Sequence, residues 1–242
     1  MITAATIHAA WRRLPIGNLS DIIGDGACLI LAPHPDDESL GCGGLIAACA
    51  ADNRPPLVAI LTDGTGSHPR SRLWPPERLK ALRRQEARDA TRALGLAPDR
   101  LIFLDAKDTA APTQGPEFET LVQRLKAALA GITTILSPWR HDPHCDHEAA
   151  SVLATRVAQD TGLRHVAYPV WGWTLPDEMP LDEKTPTGRR FDITPWQARK
   201  RSAIDAHKSQ HGGVINDDPT GFVLPPSFKA IFDTPTETYL TP

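Results

Sequence analysis

The chain has 242 residues, of which 41% are hydrophobic and 23% charged, and a formal net charge of −3. That length suits one large domain or two small ones, and the mixture is that of a soluble globular protein. The charge balance gives no pull toward nucleic acid, no apolar run approaches membrane-spanning length, and residues 1–21 lack the apolar stretch of a signal peptide. The four cysteines (Cys28, Cys42, Cys49, Cys145) show no metal-finger spacing and are expected as thiols of a cytoplasmic protein.

From residue 27 onward, strand-like and helix-like segments alternate. Residues 27–32 read as the first strand, and 39–51 as a helix in which Gly41, Gly43 and Gly44 permit close packing on a sheet. Residues 56–61 are the second strand, followed by a long polar loop over 63–76. The next helix spans about 77–94, with Leu79, Leu82, Ala90, Ala93 and Leu94 near helical period. Glu86 interrupts that stripe and is expected to pair with Arg83. Residues 101–104 form the third strand, 118–130 a helix, 132–136 the fourth strand, 147–160 a helix and 166–170 the fifth strand. Residues 173–190 read as a long loop. The tail from 205 is loop-rich, yet Phe222, Phe228, Ile231 and Phe232 suggest that it packs. The alternation implies an α/β chain with a doubly wound, mostly parallel sheet and helices on both faces. We expect a single domain over 1–242, with its core at about 25–211 and residues 212–242 packed on it.

Two polar clusters interrupt this apolar pattern. Pro33-His34-Pro35-Asp36-Asp37-Glu38 follows the first strand, and His144-Cys145-Asp146-His147 follows the fourth. In the strand order 3-2-1-4-5 those strands are neighbours, and ligands bind beyond their carboxyl ends. Charged groups leave water only when paired, hydrogen-bonded or metal-bound. His34, Asp37 and His147 would give two imidazoles and a carboxylate with one open position, the pattern of a catalytic zinc. Asp36, beside a ligand but pointing elsewhere, is the candidate general base. His144 would face a developing oxyanion if protonated, or donate a proton to the leaving amine, and Asp146 would orient it or hold it cationic. A competing reading makes Asp36, Asp37 and Glu38 a cap for a helix N-terminus, with Asp146 capping another. It accounts for the acids but leaves His34 unexplained. Ligand type favours Zn2+, with another divalent ion such as Fe2+ as the alternative.

At these residues the chain resembles the PIG-L (LmbE-like) family of metal-dependent de-N-acetylases. The first family motif is intact and continues into Leu40-Gly41-Cys42-Gly43-Gly44. Further matches are Thr62-Asp63-Gly64, Arg83 with Glu86, Leu94-Gly95, and Lys200, Ala203, His207, Ser209 and Gln210, so the resemblance covers about residues 25–211. It implies a Rossmann-like fold, zinc on His34, Asp37 and His147, Asp36 as base, His144 at the oxyanion, and a substrate carrying an N-acetylglucosamine unit. Cys145 stands where the family usually has proline, and Asp142 lies where some members carry a tyrosine. The membrane anchor of some members is absent, which favours a soluble substrate and no membrane insertion.

Substrate contacts are expected from Arg70 and Arg72 in the loop after the second strand, whose forks suit an anionic group. By resemblance, His207 and Gln210 border the site. Trp171 and Trp173 read as core or as a face for sugar stacking. The leading expectation is a zinc-dependent hydrolase that removes an N-acetyl or other acyl group from an amino sugar. The alternatives are an amidase for a thiol conjugate or an acylated antibiotic and, further off, a non-catalytic nucleotide- or metal-binding module. No nucleic-acid partner is expected, and the sequence leaves room for a homo-oligomer.

Overall fold

The computed structural model describes residues 2–242. The N-terminal segment, to which the sequence reading gave no elements, forms β1 (Ile2–Thr3), α1 (Ala4–Arg13), β2 (Ile16–Gly17) and α2 (Leu19–Ile23). Helix α1 is amphipathic, burying Ala4, Ile7 and Trp11 at helical spacing. Asn18 and Asp21 cap α2 reciprocally, each side chain accepting from the other's backbone N–H.

The alternating part follows as β3 (Ala27–Ala32), α3 (Asp37–Ala51), β4 (Leu57–Thr62), α4 (Pro76–Ala93), β5 (Leu101–Ala106), α5 (Gly115–Ala127), β6 (Ile132–Pro138), α6 (Cys145–Thr161) and β7 (Arg164–Tyr168). These five strands are parallel and lie side by side as β5-β4-β3-β6-β7. Cys28 to Ala32 and all of β4 are buried. That follows from helices on both faces, which remove the polar alternation of a half-exposed strand. Ile30, Leu45 and Val58 belong to one core, and Leu29, Leu31, Ala59 and Leu153 to the other. Helix α3 begins at Asp37, two residues before its expected start, because Asp37 and Glu38 suit the positive end of its first turn.

The C-terminal part adds β8 (Pro180–Leu181), β9 (Thr187–Asp192), α7 (Gln197–Ala206), α8 (Pro226–Phe232) and β10 (Thr236–Thr241). Strand β10 lies between β7 and β9 and is antiparallel to both, and β2 pairs with β9 at the far edge of an eight-stranded sheet. Residues 173–190, expected as loop, therefore hold β8 and the start of β9. Six register pairs with β10 order β9. The tail is also fixed by Glu237, whose carboxylate accepts from the N–H groups of Gly44 (2.7 Å) and Leu45 (2.8 Å) in α3. Of the three glycines expected against the sheet, Gly41 meets the Tyr168 ring of β7, whereas Gly43 and Gly44 make room for Lys200 of α7 and Ile193.

Candidate active site

Strands β3 and β6 are neighbours, so the turns at their carboxyl ends face one another. The first carries Pro33 to Asp36 into α3, and the second carries Asp142 and His144 into α6. His34 Nδ1 lies 3.1 Å and His147 Nε2 3.2 Å from the same Asp37 oxygen, Oδ2. Two donors on a tetrahedral zinc at about 2.0–2.1 Å stand roughly 3.3 Å apart. These two gaps match the spacing of neighbouring donors on one ion. His147 is fully buried, and its Nε2 has no hydrogen-bond partner. Such an atom is costly unless something else binds it. A divalent cation would supply such a partner. His34, His144 and His147 each also offer a nitrogen within 4.8 Å of the others.

The surrounding carboxylates aim these imidazoles. Asp142 Oδ2 lies 3.0 Å from His147 Nδ1, and Asp142 is itself held by the N–H groups of Val170 (3.0 Å), Trp171 (3.0 Å) and Gly172 (2.7 Å). Asp142 thus holds a proton on Nδ1 and turns Nε2 toward Asp37, where a cation would displace the second ring proton. On the other ring, His34 Nε2 meets Asp146 Oδ2 at 3.1 Å and Asp108 Oδ1 at 3.4 Å. The N–H groups of Thr109 (2.7 Å) and Ala111 (3.0 Å) lock Asp146. Burial opposes charge on His147, yet Asp37 and Asp142 outweigh it and hold the imidazole up to about 9. Burial likewise works against charge on Asp37, but His147 and His34 drive it below the usual carboxylate range. A pocket this rich in carboxylate favours positive charge, whether a proton or a metal.

Asp36 stands beside this set with φ 148°. Its N–H donates to Glu38 Oε2 (3.0 Å), and Arg83 Nη2 donates to Pro35 O (2.9 Å) and Asp36 Oδ2 (3.3 Å). Burial pushes the Asp36 carboxyl up to about 7, against the pull of Arg83. The expected Arg83–Glu86 pair is not formed. Glu86 instead accepts from the N–H (2.7 Å) and hydroxyl (2.6 Å) of Ser209. Arg83 turns to the Asp36 turn because that carboxylate and the Pro35 and Gly64 carbonyls surround its fork.

His144 is the N-cap of α6, and its Nδ1 accepts the Asp146 N–H at 3.2 Å. Its ring proton therefore lies on Nε2. Burial, with His34 and His147 nearby, lowers its pKa. The Asp146 carboxylate is turned to His34, and Asp146 meets His144 through its backbone N–H. Cys145 is exposed, with Sγ 3.6 Å from Thr109 O.

A cleft of about 150 Å³ opens on these groups. His34, Asp36, Asp37 and His144 line one side, and Trp171, Phe222 and Leu224 form an apolar wall. Of the four expected substrate residues, only Gln210 lines it. Its Nε2 donates to Ser209 Oγ (2.8 Å), and its buried Oε1 has no partner. Arg70 and Arg72 are exposed outside the cleft, on a loop whose backbone N–H groups are tied to Asp218 and Asp217. His207 is fully buried beneath the site, 3.0 Å from Glu38 Oε1 and 3.3 Å from Ser39 Oγ. Sequence reasoning missed Asp108 and Asp142 as partners of the imidazoles. Both are carboxylates in turns beyond strand carboxyl ends, which was the available signal.

A family model described as GlcNAc-PI de-N-acetylase matches residues 29–158. A probable N-acetyl-alpha-D-glucosaminyl L-malate deacetylase 2 of Bacillus anthracis is 33% identical over 194 residues, 78% of this chain and 83% of that protein. A 2'-N-acetylparomamine deacetylase of Streptomyces fradiae is 30% identical over 146 residues, 55% of this chain and 52% of that protein. The chain spans about half the length of the first curated relatives it matches. Among solved structures, the N,N'-diacetylchitobiose deacetylase of Pyrococcus horikoshii superposes with a TM-score of 0.62 at 23% identity. That superposition covers 81% of this chain and 75% of the other, and it speaks for the α/β fold alone.

Proposed function

The chain belongs to the PIG-L family of GlcNAc-PI de-N-acetylases, and on that premise we propose that it is a metal-dependent deacetylase. Its substrate in this reading is an amino sugar, or a small molecule containing N-acetylglucosamine. The observation that carries the proposal is the buried Nε2 of His147, which makes no aligned hydrogen bond and faces Asp37 beside His34 and the strained Asp36. A zinc ion, or another divalent ion such as Fe2+, held by His34, Asp37 and His147 would polarise the amide carbonyl and lower the pKa of a water.

The chain's own groups do the rest. Asp36 takes the proton of the attacking water at its carboxylate, a role suited to a group that titrates near neutrality. His144 donates its Nε2–H to the oxygen that gains negative charge. The proton held by Asp36 then passes to the leaving amine. Asp142 and Asp146 keep the two imidazoles oriented, and Arg83 and Glu38 keep Asp36 in place. Gln210 Oε1 accepts from a substrate N–H or O–H. The apolar wall of Trp171, Phe222 and Leu224 supports a second reading, an acylated antibiotic or other amide with an apolar face.

We further read the five parallel strands as a Rossmann-like, doubly wound sheet within one domain, supported by the β3–β6 junction at the site. No helix among the described residues is long and apolar enough to cross a membrane. A cytoplasmic location is supported by four unpaired cysteines. The test is amine release from a panel of N-acylated sugars and apolar amides by the metal-loaded protein. We expect turnover on an N-acetylated sugar that chelation abolishes. Release only from non-sugar amides would favour the second reading, and release from none would reject both.

A further inference from the structure

We propose that a cavity beyond the carboxyl end of β7 is a binding site for a small organic anion, a carboxylate or phosphate on an apolar body. The cavity has a volume of about 350 Å³, within the range of small-molecule sites. It is separate from the cleft described above, and Leu40 lines both. Both lie along the rim of the sheet where α/β proteins bind ligands.

The charge of its lining points to an anion. Arg12, Arg190, Lys200 and Glu237 are its ionised groups. Glu237 is fully engaged: it accepts from Lys200 Nζ (2.6 Å), the Tyr239 hydroxyl (2.7 Å) and two α3 N–H groups. Lys200 and Glu237 therefore neutralise each other. No carboxylate among the described residues lies within ion-pair distance of Arg12 or Arg190. Arg12 is exposed, with its guanidinium carbon 5.6 Å above the Trp173 ring. Arg190 uses its Nε on the Leu14 carbonyl (2.9 Å), which fixes the side chain and leaves its terminal nitrogens unengaged. Two unpaired arginine forks at one cavity give it a net positive charge, in a chain whose overall charge is −3. Such forks bind carboxylate and phosphate with paired hydrogen bonds. The apolar lining of Leu40, Ile231 and Phe232 would take the apolar body. The proposal stands independently of the deacetylase reading.

The test is titration calorimetry of the full chain with phenyl phosphate, benzoate and inorganic phosphate. Phenyl phosphate against benzoate separates the two anion types, and inorganic phosphate tests the apolar body. We expect saturable binding of at least one aryl anion, tighter than inorganic phosphate. Arg12→Gln should weaken it, and Arg12→Gln with Arg190→Gln should weaken it by at least about tenfold. His144→Ala, in the other cleft, should leave it unchanged. Should loss of the Arg190 bond to Leu14 prevent folding, Arg12→Gln on its exposed helix face decides alone. The proposal is overturned if no aryl anion binds at millimolar concentration, if Arg12→Gln binds as tightly as the parent, or if His144→Ala is the variant that loses binding.

Discussion

Asp36 adopts φ 148°, a backbone conformation that a residue with a side chain rarely takes, and Glu38 and Arg83 hold it there. Strain of that kind persists where its surroundings over-determine it. Asp36→Asn should keep both fold and cation while turnover falls by about 10²–10⁴-fold, whereas His34→Ala should lose cation and turnover together. Elemental analysis and amine release on the same preparations check both. Asp142→Asn removes the charge beside His147 and sets an amide NH2 against one of the N–H donors around residue 142, so cation affinity should fall by roughly 10–100-fold, read by competition with a chelator. Away from the site, His165 lies 2.9 Å from Ser137 Oγ, and burial pushes it down to about 4. As pH falls below the ordinary histidine value, the unfolded chain takes up a proton that the folded chain refuses. Stability should therefore drop between about pH 6.5 and about pH 4, by at most about 3 kcal/mol. Denaturant unfolding at both ends of that window should show a smaller drop for His165→Gln. His34, Asp36, Asp37 and His147 were legible because acids and histidines at apolar strand ends have few other uses. Asp108 and Asp142 were not, since their meaning depends on which turns pack beside one another. The placement of Arg70 and Arg72 was not legible, because charge in a loop says nothing about where the loop's backbone is tied.

Helix α3 joins the site to the fold, and its glycines carry that connection. A Cβ at Gly41 would run into the Tyr168 ring, which is fully buried with its hydroxyl donating to Leu31 O (2.9 Å). The ring has little freedom to yield. Gly41→Ala should therefore destabilise the protein by about 1–3 kcal/mol, measured by urea unfolding. The glycine run was legible in sequence as a request for close packing. Its partners were not: only Gly41 meets the sheet, and Gly43 and Gly44 serve α7 and Ile193. The β3 to β7 alternation was also legible, because each strand is short, apolar and followed by a helical period. Strand β9 escaped notice because its burial alternates and its run Thr187 to Asp192 is polar. Such a strand is recognised by its partner β10 and not by its own composition.

Across the whole molecule, the C-terminal tail closes the fold that the central strands begin. Strand β10 inserts between β7 and β9, and Glu237 reaches from it to α3 and to Lys200 of α7. Both members of the Lys200–Glu237 pair are almost fully buried. Glu237→Ala would leave Lys200 charged and unpaired in the core, at a cost of about 3–5 kcal/mol, visible as a lowered unfolding midpoint. That tail was legible only as something that packs, since no local pattern tells a threonine-rich segment which strand it will join. The same long-range assembly brings residues 34, 37 and 147 to one point, and the account depends on it. The most direct measurement is the number of zinc equivalents retained per chain after dialysis, for the parent protein and for His147→Ala. One equivalent in the parent and none in His147→Ala is the expected result, and equal zinc retention by the two proteins would contradict it.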